Sequence, residues 1–130
     1  MKHVYNVIVG TIAIVALVAF GYYMYVLANE SPWRISAAEA RRRLRVGEID
    51  LVLDVRTDAE RRVLGYYPSS VHIPSSDLDR VMFERYPDKN KAILVYCNSG
   101  QRARIATDKL HRLGYKNARY ISSGYKSLLE

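Results

Sequence analysis

From Val4 to Asn29 no position is charged, and most are Val, Ile, Ala, Leu, Tyr or Phe. At about 1.5 Å per helical residue, even twenty of these cross a hydrocarbon core of roughly 30 Å. The pattern predicts a transmembrane helix from Val4 to about Leu27. Residues 31–35, with Pro32, make a short linker, and a different rhythm follows in which short apolar runs alternate with amphipathic stretches. Ser36-Ala37-Ala38-Glu39 reads as a capping box opening a helix to about Val46, which Gly47 ends. Leu51-Val52-Leu53-Asp54-Val55 is a buried-strand pattern with a carboxylate near its end. Thr57 or Asp58 caps a short helix through Leu64, and the turn-rich Gly65–Ser70 leads to a brief strand at Val71-His72-Ile73. Pro74–Asp77 opens a helix running to about Tyr86. Ala92–Tyr96 is the next strand, and Ala103–Leu113 the next helix, closed by Gly114. Ala118–Ile121 is a last strand before a terminal helical stub. Strands alternating with helices imply a parallel sheet covered on both faces. The expected fold class is α/β: one domain over residues 36–130, a central parallel sheet flanked by helices, preceded by one membrane helix.

Aromatic residues frame the N-terminal run. Tyr5 stands near one end and Tyr22, Tyr23, Tyr25 and Trp33 near the other, as an interfacial belt places them. The other reading is a signal peptide cleaved near Ala28, because Val26-Leu27-Ala28 carries small residues where a signal peptidase acts. The run is longer than the roughly 7–15 residues of a signal core, which argues against cleavage. Past the helix, Arg34, Arg41, Arg42, Arg43 and Arg45 are opposed by Glu30 and Glu39. The positive-inside rule then puts the soluble domain on the cytoplasmic side. Export after cleavage is the alternative.

The chain of 130 residues carries 20 Lys and Arg against 13 Asp and Glu, a net charge of +7. That excess suits anionic lipid head groups or small anionic substrates. No zinc-ligand spacing, RNA-binding aromatic motif or basic repeat points to nucleic acid. The single cysteine excludes an internal disulfide framework and a cysteine-rich metal site. No metal and no cofactor is expected.

That cysteine begins the run Cys97-Asn98-Ser99-Gly100-Gln101-Arg102, on a small-residue turn between a buried strand and a helix N-terminus. Backbone N–H groups converge at such a place, and with the positive end of the helix dipole they favour an anion. Ligand sites in parallel sheets gather beyond the carboxyl ends of strands, where Asp54 and Cys97 both fall. A lone buried cysteine is most often a small hydrophobe; the flanking Ser99, Gly100 and Arg102 make Cys97 the candidate nucleophile. Asp54 and Arg56 are expected as structural support, paired with each other, while His72 is expected to be a satisfied or surface histidine. His3 and His111 look incidental, and Tyr66 and Tyr67 look like packing residues.

These residues resemble the rhodanese superfamily, specifically its single-domain sulfurtransferases. The resemblance runs over nearly all of residues 35–130. It rests on Leu53-Asp54-Val55-Arg56 with Glu60 after it, Gly65…Pro68…Ile73-Pro74, Val95–Ala103 with its Cys-x-x-Gly-x-Arg loop, Leu113-Gly114-Tyr115, and Gly124. Two segments depart. Gly65-Tyr66-Tyr67-Pro68-Ser69-Ser70 stands where the family usually has Gly-His-Ile-Pro-Gly-Ala, and Ser123-Gly124 with Leu128 where it has Gly-Gly and a tryptophan. Neither touches the cysteine loop.

The resemblance implies that Cys97, as thiolate, takes the outer sulfur of a small anionic donor such as thiosulfate and becomes a persulfide. A thiol, protein or cyanide acceptor then removes it. Asn98, Ser99, Gly100, Gln101 and Arg102 would bind the substrate and stabilise the persulfide, with Arg102 drawing in the anionic donor. Two other functions compete. A phosphatase of similar fold uses a Cys-x5-Arg loop, whereas four residues separate Cys97 from Arg102 here, a tighter loop that suits a single sulfur. A persulfide carrier without turnover, or a redox or partner-binding module, is the other; trapping partners with Cys97→Ser distinguishes it.

Overall fold

The computed structural model describes residues 1–29 and 31–130; Glu30, weighed above against the arginines, lies outside the described residues. Four apolar runs form the sheet: β1 (Leu51–Asp54), β2 (Val71–His72), β3 (Ile93–Tyr96) and β4 (Ala118–Tyr120). They pair in parallel, in the order β2-β1-β3-β4. The expected parallel α/β sheet is therefore present, and its two central strands, β1 and β3, are buried at every position. That is why they read as continuous apolar runs rather than alternating ones.

The helices are α1 (Lys2–Asn29), α2 (Ala37–Arg45), α3 (Asp58–Leu64), α4 (Leu78–Arg85) and α5 (Gln101–Arg112). Strand alternation divides the core in two. Leu51, Leu53, Ile93 and Val95 point to one face, against Leu78 and Met82 of α4 and Ala103, Ala106 and Leu110 of α5. Val52, Leu94 and Tyr96 point to the other, against Ala40 of α2 and Leu128 of a closing 3₁₀ turn, Tyr125–Leu128. Cys97 continues the first face and Asp54 the second.

Four local features differ from the sequence reading. The helix expected from Pro74 is a 3₁₀ turn, Ser75–Asp77, before α4 begins. α5 starts at Gln101, two residues earlier than the apolar periodicity announces, so Gln101 and Arg102 belong to its first turn. Residues 33–35, within the segment read as a linker, run beside β4: Tyr120 N–H donates to the Trp33 carbonyl and Ile35 N–H to the Tyr120 carbonyl, at 3.1 and 2.9 Å. At α2 only half of the capping box forms. Ser36 Oγ accepts from Glu39 N–H at 3.1 Å, but the Glu39 carboxylate turns to Arg42 and Arg43. The reciprocal box forms at Thr57 and Glu60, the start of α3.

α1 is a single helix of 28 residues, long and apolar enough to cross a membrane, with most of its side chains exposed. Its C-terminal part meets the domain at the start of α5, where Gln101 Nε2 donates to the Met24 carbonyl at 3.4 Å.

Candidate active site at the ends of two strands

Cys97 leaves β3 and is only 1% exposed. The chain then turns through Asn98 and Ser99 to Gly100, whose φ of +95° lies in the left-handed region that glycine adopts without penalty. Glycine is required there for space as well: a Cβ on Gly100 would sit 2.6 Å from Ser122 Cα. This sharp turn aims the main chain back at the sulfur. Cys97 Sγ accepts from Gly100 N–H at 3.1 Å and from Ala103 N–H at 3.4 Å. First-turn amides of a helix have no intrahelical carbonyl to donate to, so Ala103, in the first turn of α5, has its N–H free for the sulfur.

Beside this loop, on the other face of the sheet, a buried charge cluster closes the end of β1. Asp54 and Arg56 are 0% and 1% exposed. Asp54 Oδ1 accepts from Arg56 N–H and Nε, both at 3.0 Å. Its Oδ2 accepts from Arg56 at 2.8 Å, from Arg61 at 3.1 Å and from the Tyr96 hydroxyl at 3.0 Å. Burial works against the charged form of Asp54, but the Arg56 side chain and amide and the Tyr96 hydroxyl outweigh it, so its carboxyl is held below the usual range. Arg56 in turn is raised above the ordinary arginine value, first by its hydrogen bond to Asp54.

Asn98 joins this cluster to the cysteine loop. Its Oδ1 accepts from Arg56 at 3.1 Å and its Nδ2 donates to Glu60 at 2.6 Å. Glu60 then grips Arg102 with both oxygens at 2.7 Å. Oε1 of Glu60 also accepts from the Thr57 amide and hydroxyl, the return half of the capping box. Arg102 first, then Thr57, hold the Glu60 carboxyl far below its ordinary range, so it is ionised at any physiological pH.

The structure thus gathers Cys97, Asn98, Gly100, Arg102, Asp54 and Arg56 into one connected arrangement. Ser99 is exposed, and Gln101 turns its side chain toward α1. Several participants were not assigned from sequence, among them Arg61, which reaches Asp54 from α3. Glu60 carries a signal, the Thr57-x-x-Glu60 capping pattern that fixes its side chain at the helix start. Ala103 is a first-turn residue of α5 whose amide reaches back to the sulfur. Tyr96 faces Asp54 in the β1–β3 register, a pairing that sequence alone does not give. His72 Nε2 meets the Arg56 carbonyl at 2.7 Å. His111 is not incidental: it contacts the Ala118 carbonyl and stacks on Trp33, ring centroids 3.7 Å apart. Ser70, where the resemblance leads one to expect alanine, binds Arg61 at 2.9 Å and lies 3.2 Å from the Tyr96 hydroxyl. A groove of about 280 Å³ runs beside Asn98, walled by Arg56, Leu64, Tyr125 and Lys126.

A sulfur held by amides at a strand end, beside a carboxylate–guanidinium cluster, defines an anion-cradling cysteine site in a parallel α/β domain. The chain belongs to the rhodanese-like domain family, whose family model matches residues 36–130. It is 38% identical over 47 residues to rhodanese-like domain-containing protein 10 of Arabidopsis thaliana, a match covering 36% of this chain and 22% of that protein. Among solved structures it resembles the human single-domain sulfurtransferase TSTD1, at 25% identity and a TM-score of 0.65, over 76% of this chain and 96% of that one. It also resembles the thiosulfate sulfurtransferase of Pseudomonas aeruginosa, at 26% identity and a TM-score of 0.58, over 72% of this chain and 18% of that one.

Proposed function

We propose that this protein is a membrane-anchored sulfurtransferase that carries a sulfane sulfur on Cys97. The observation that supports this most directly is the pair of amides, Gly100 and Ala103, donating to Cys97 Sγ. Backbone donors stabilise the thiolate without a counter-charge of their own, and none is stranded when the charge moves to the outer sulfur of a persulfide. In the first half-reaction the Cys97 thiolate attacks the outer sulfur of a donor such as thiosulfate. A Cys97 S–S bond forms, the donor S–S bond breaks, and sulfite leaves with the electron pair. In the second, a thiol or cyanide attacks the outer persulfide sulfur and the Cys97 thiolate returns. Asn98, Arg56 and Asp54 keep the loop in place, and Arg102 stands at its helical end. Partners of this reading are a small anionic donor, a thiol or protein acceptor, and a membrane that α1 spans with the domain on the cytoplasmic side. It requires no cofactor and no nucleic acid.

The test uses the full chain in detergent, incubated with thiosulfate. Cyanide-dependent thiocyanate release together with a one-sulfur mass increase, both lost in Cys97→Ser, is the expected result. A mass increase without turnover moves the reading to a persulfide carrier whose acceptor is a protein. Absence of both signals from folded protein defeats it. Resistance of the full chain to alkaline extraction from membranes tests the anchor.

A further inference from the structure

The Glu60–Arg102 pair has a consequence for which donors the site accepts. The sequence casts Arg102 as a free cation that draws in an anionic donor. In the structure its guanidinium is already engaged by both oxygens of a carboxylate, at 2.7 Å each. Glu60 is held in turn by Asn98 Nδ2 and by the Thr57 amide and hydroxyl. A carboxylate fixed from three sides does not swing aside to release its cation. Across the whole cluster, Asp54 and Glu60 stand against Arg56, Arg61 and Arg102, two carboxylates against three guanidinium groups. One positive charge is left, and a Cys97 thiolate or persulfide neutralises it. A donor with two negative charges therefore meets a hydrogen-bonded cluster with no cationic surplus, and Lys126, on the wall of the adjoining groove, is exposed to solvent.

We infer that Glu60 is a positioning residue that sets donor choice by charge: by occupying Arg102 it selects singly charged sulfane donors over doubly charged ones. This rests on the sulfurtransferase reading and deepens it. Thiosulfate and the methanethiosulfonate anion form a matched pair of probes, alike in size and in the S–S bond broken. They differ by one charge, because a methyl group replaces one oxygen. With methanethiosulfonate the thiolate attacks the outer sulfur, the Cys97 persulfide forms, and methanesulfinate leaves with the electron pair.

The experiment measures the second-order rate constant of Cys97 sulfur addition by intact mass, for each donor, on the full chain in detergent. Wild type is compared with Glu60→Gln, which frees the Arg102 charge while keeping one acceptor oxygen for the Thr57 amide and hydroxyl. The expected result is that Glu60→Gln raises the thiosulfate-to-methanethiosulfonate ratio about five- to tenfold, through a lower apparent KM for thiosulfate, and that high salt erases most of the shift. Asp58→Asn, which removes an equal charge from the exposed face of α3, should leave the ratio unchanged. Arg102→Gln, which strands Glu60 without its cation, should move the ratio the opposite way and stands as a second reading should Glu60→Gln fold poorly. A ratio unmoved by both substitutions, a parallel loss for both donors, or an equal shift in Asp58→Asn overturns the inference alone. A folded wild-type chain that takes sulfur from neither donor overturns the sulfurtransferase reading with it.

Discussion

At the end of β1 an anion is held by side chains; at the end of β3, one strand over, an anion-ready sulfur is held by main-chain amides. Asp54 receives five hydrogen bonds from Arg56, Arg61 and Tyr96, every one except the Arg56 amide from a side chain. Cys97 Sγ receives two, from Gly100 and Ala103. The two ends lie on opposite faces of one sheet, yet both are almost fully buried. The difference lies in what happens when the anion changes. A carboxylate surrounded by guanidinium groups is fixed in charge and position, because removing it leaves buried cations without a partner. Amides carry no net charge, so the thiolate can become a persulfide, its charge moved to the outer sulfur, without stranding a buried counter-ion. The side-chain-held end is therefore scaffold, and the main-chain-held end can do chemistry.

The largest effect expected from breaking this division is at the sulfur. Cys97→Ser should abolish the one-sulfur mass increase altogether while leaving the melting temperature close to wild type, because the substitution is small and the amides still find an acceptor. A sulfur adduct on that variant would place the chemistry elsewhere. The reverse pattern belongs to the other strand end. Asp54→Asn should cost about 3–5 kcal/mol of stability in denaturant melts, since it leaves Arg56 buried beside a neutral partner. The pH dependence carries a sign. Asp54 titrates lower in the folded protein than in the unfolded chain. Its contribution is thus present above the unfolded value, about 3.9, and is lost as pH falls through the lower folded one. The stability gap between wild type and Asp54→Asn should narrow on acidification below about pH 4. A gap that stays constant there would mean that Asp54 is not the titrating group.

Gly100→Ala comes next. It forces a side chain onto a backbone at φ +95° and drives Cβ to 2.6 Å from Ser122 Cα, a backbone atom that cannot step aside. Strain and overpacking together suggest a loss of roughly 2–4 kcal/mol, with slower sulfur addition because the Gly100 amide is displaced. Gly114→Ala is the comparison. It has φ +97°, but the nearest atom to a new Cβ is Lys89 Cδ at 3.8 Å. The strain alone, about 1–2 kcal/mol, should appear there, with no change in sulfur addition.

The same contrast explains how much of the molecule was legible in the sequence. The strands were, because β1 and β3 are buried on both faces and every position before the last is apolar. The cysteine loop was, because its glycine, its small residues and its place after a strand are local facts. The charge cluster was legible only as a pair, Asp54 with Arg56, two residues apart. Its other members come from distant segments: Tyr96 through strand register, Arg61 from α3, Ser70 from the turn before β2. Glu60 marks the boundary between the two kinds of information. Its capping role is written in Thr57-x-x-Glu60, but its grip on Arg102 spans 42 positions and exists only once α3 and α5 point their N-termini at the same loop.

The smallest effect is also the sharpest check that burial, not chemistry, makes Asp54 matter. Asp58→Asn repeats the Asp54→Asn change four residues along the chain. Asp58 also pairs with an arginine, Arg62 at 3.1 Å, but the two side chains are 79% and 71% exposed. Water solvates both ions once the pair is broken, so nothing is stranded, and exposed pairs of this spacing contribute about 0.3–0.5 kcal/mol. Asp58→Asn should shift the denaturant midpoint by no more than that, and raised salt should erase the shift. If it instead approached the loss expected for Asp54→Asn, the stability of this domain would follow from its overall excess of positive charge. The buried knot at the end of β1 would then not be what holds the site together.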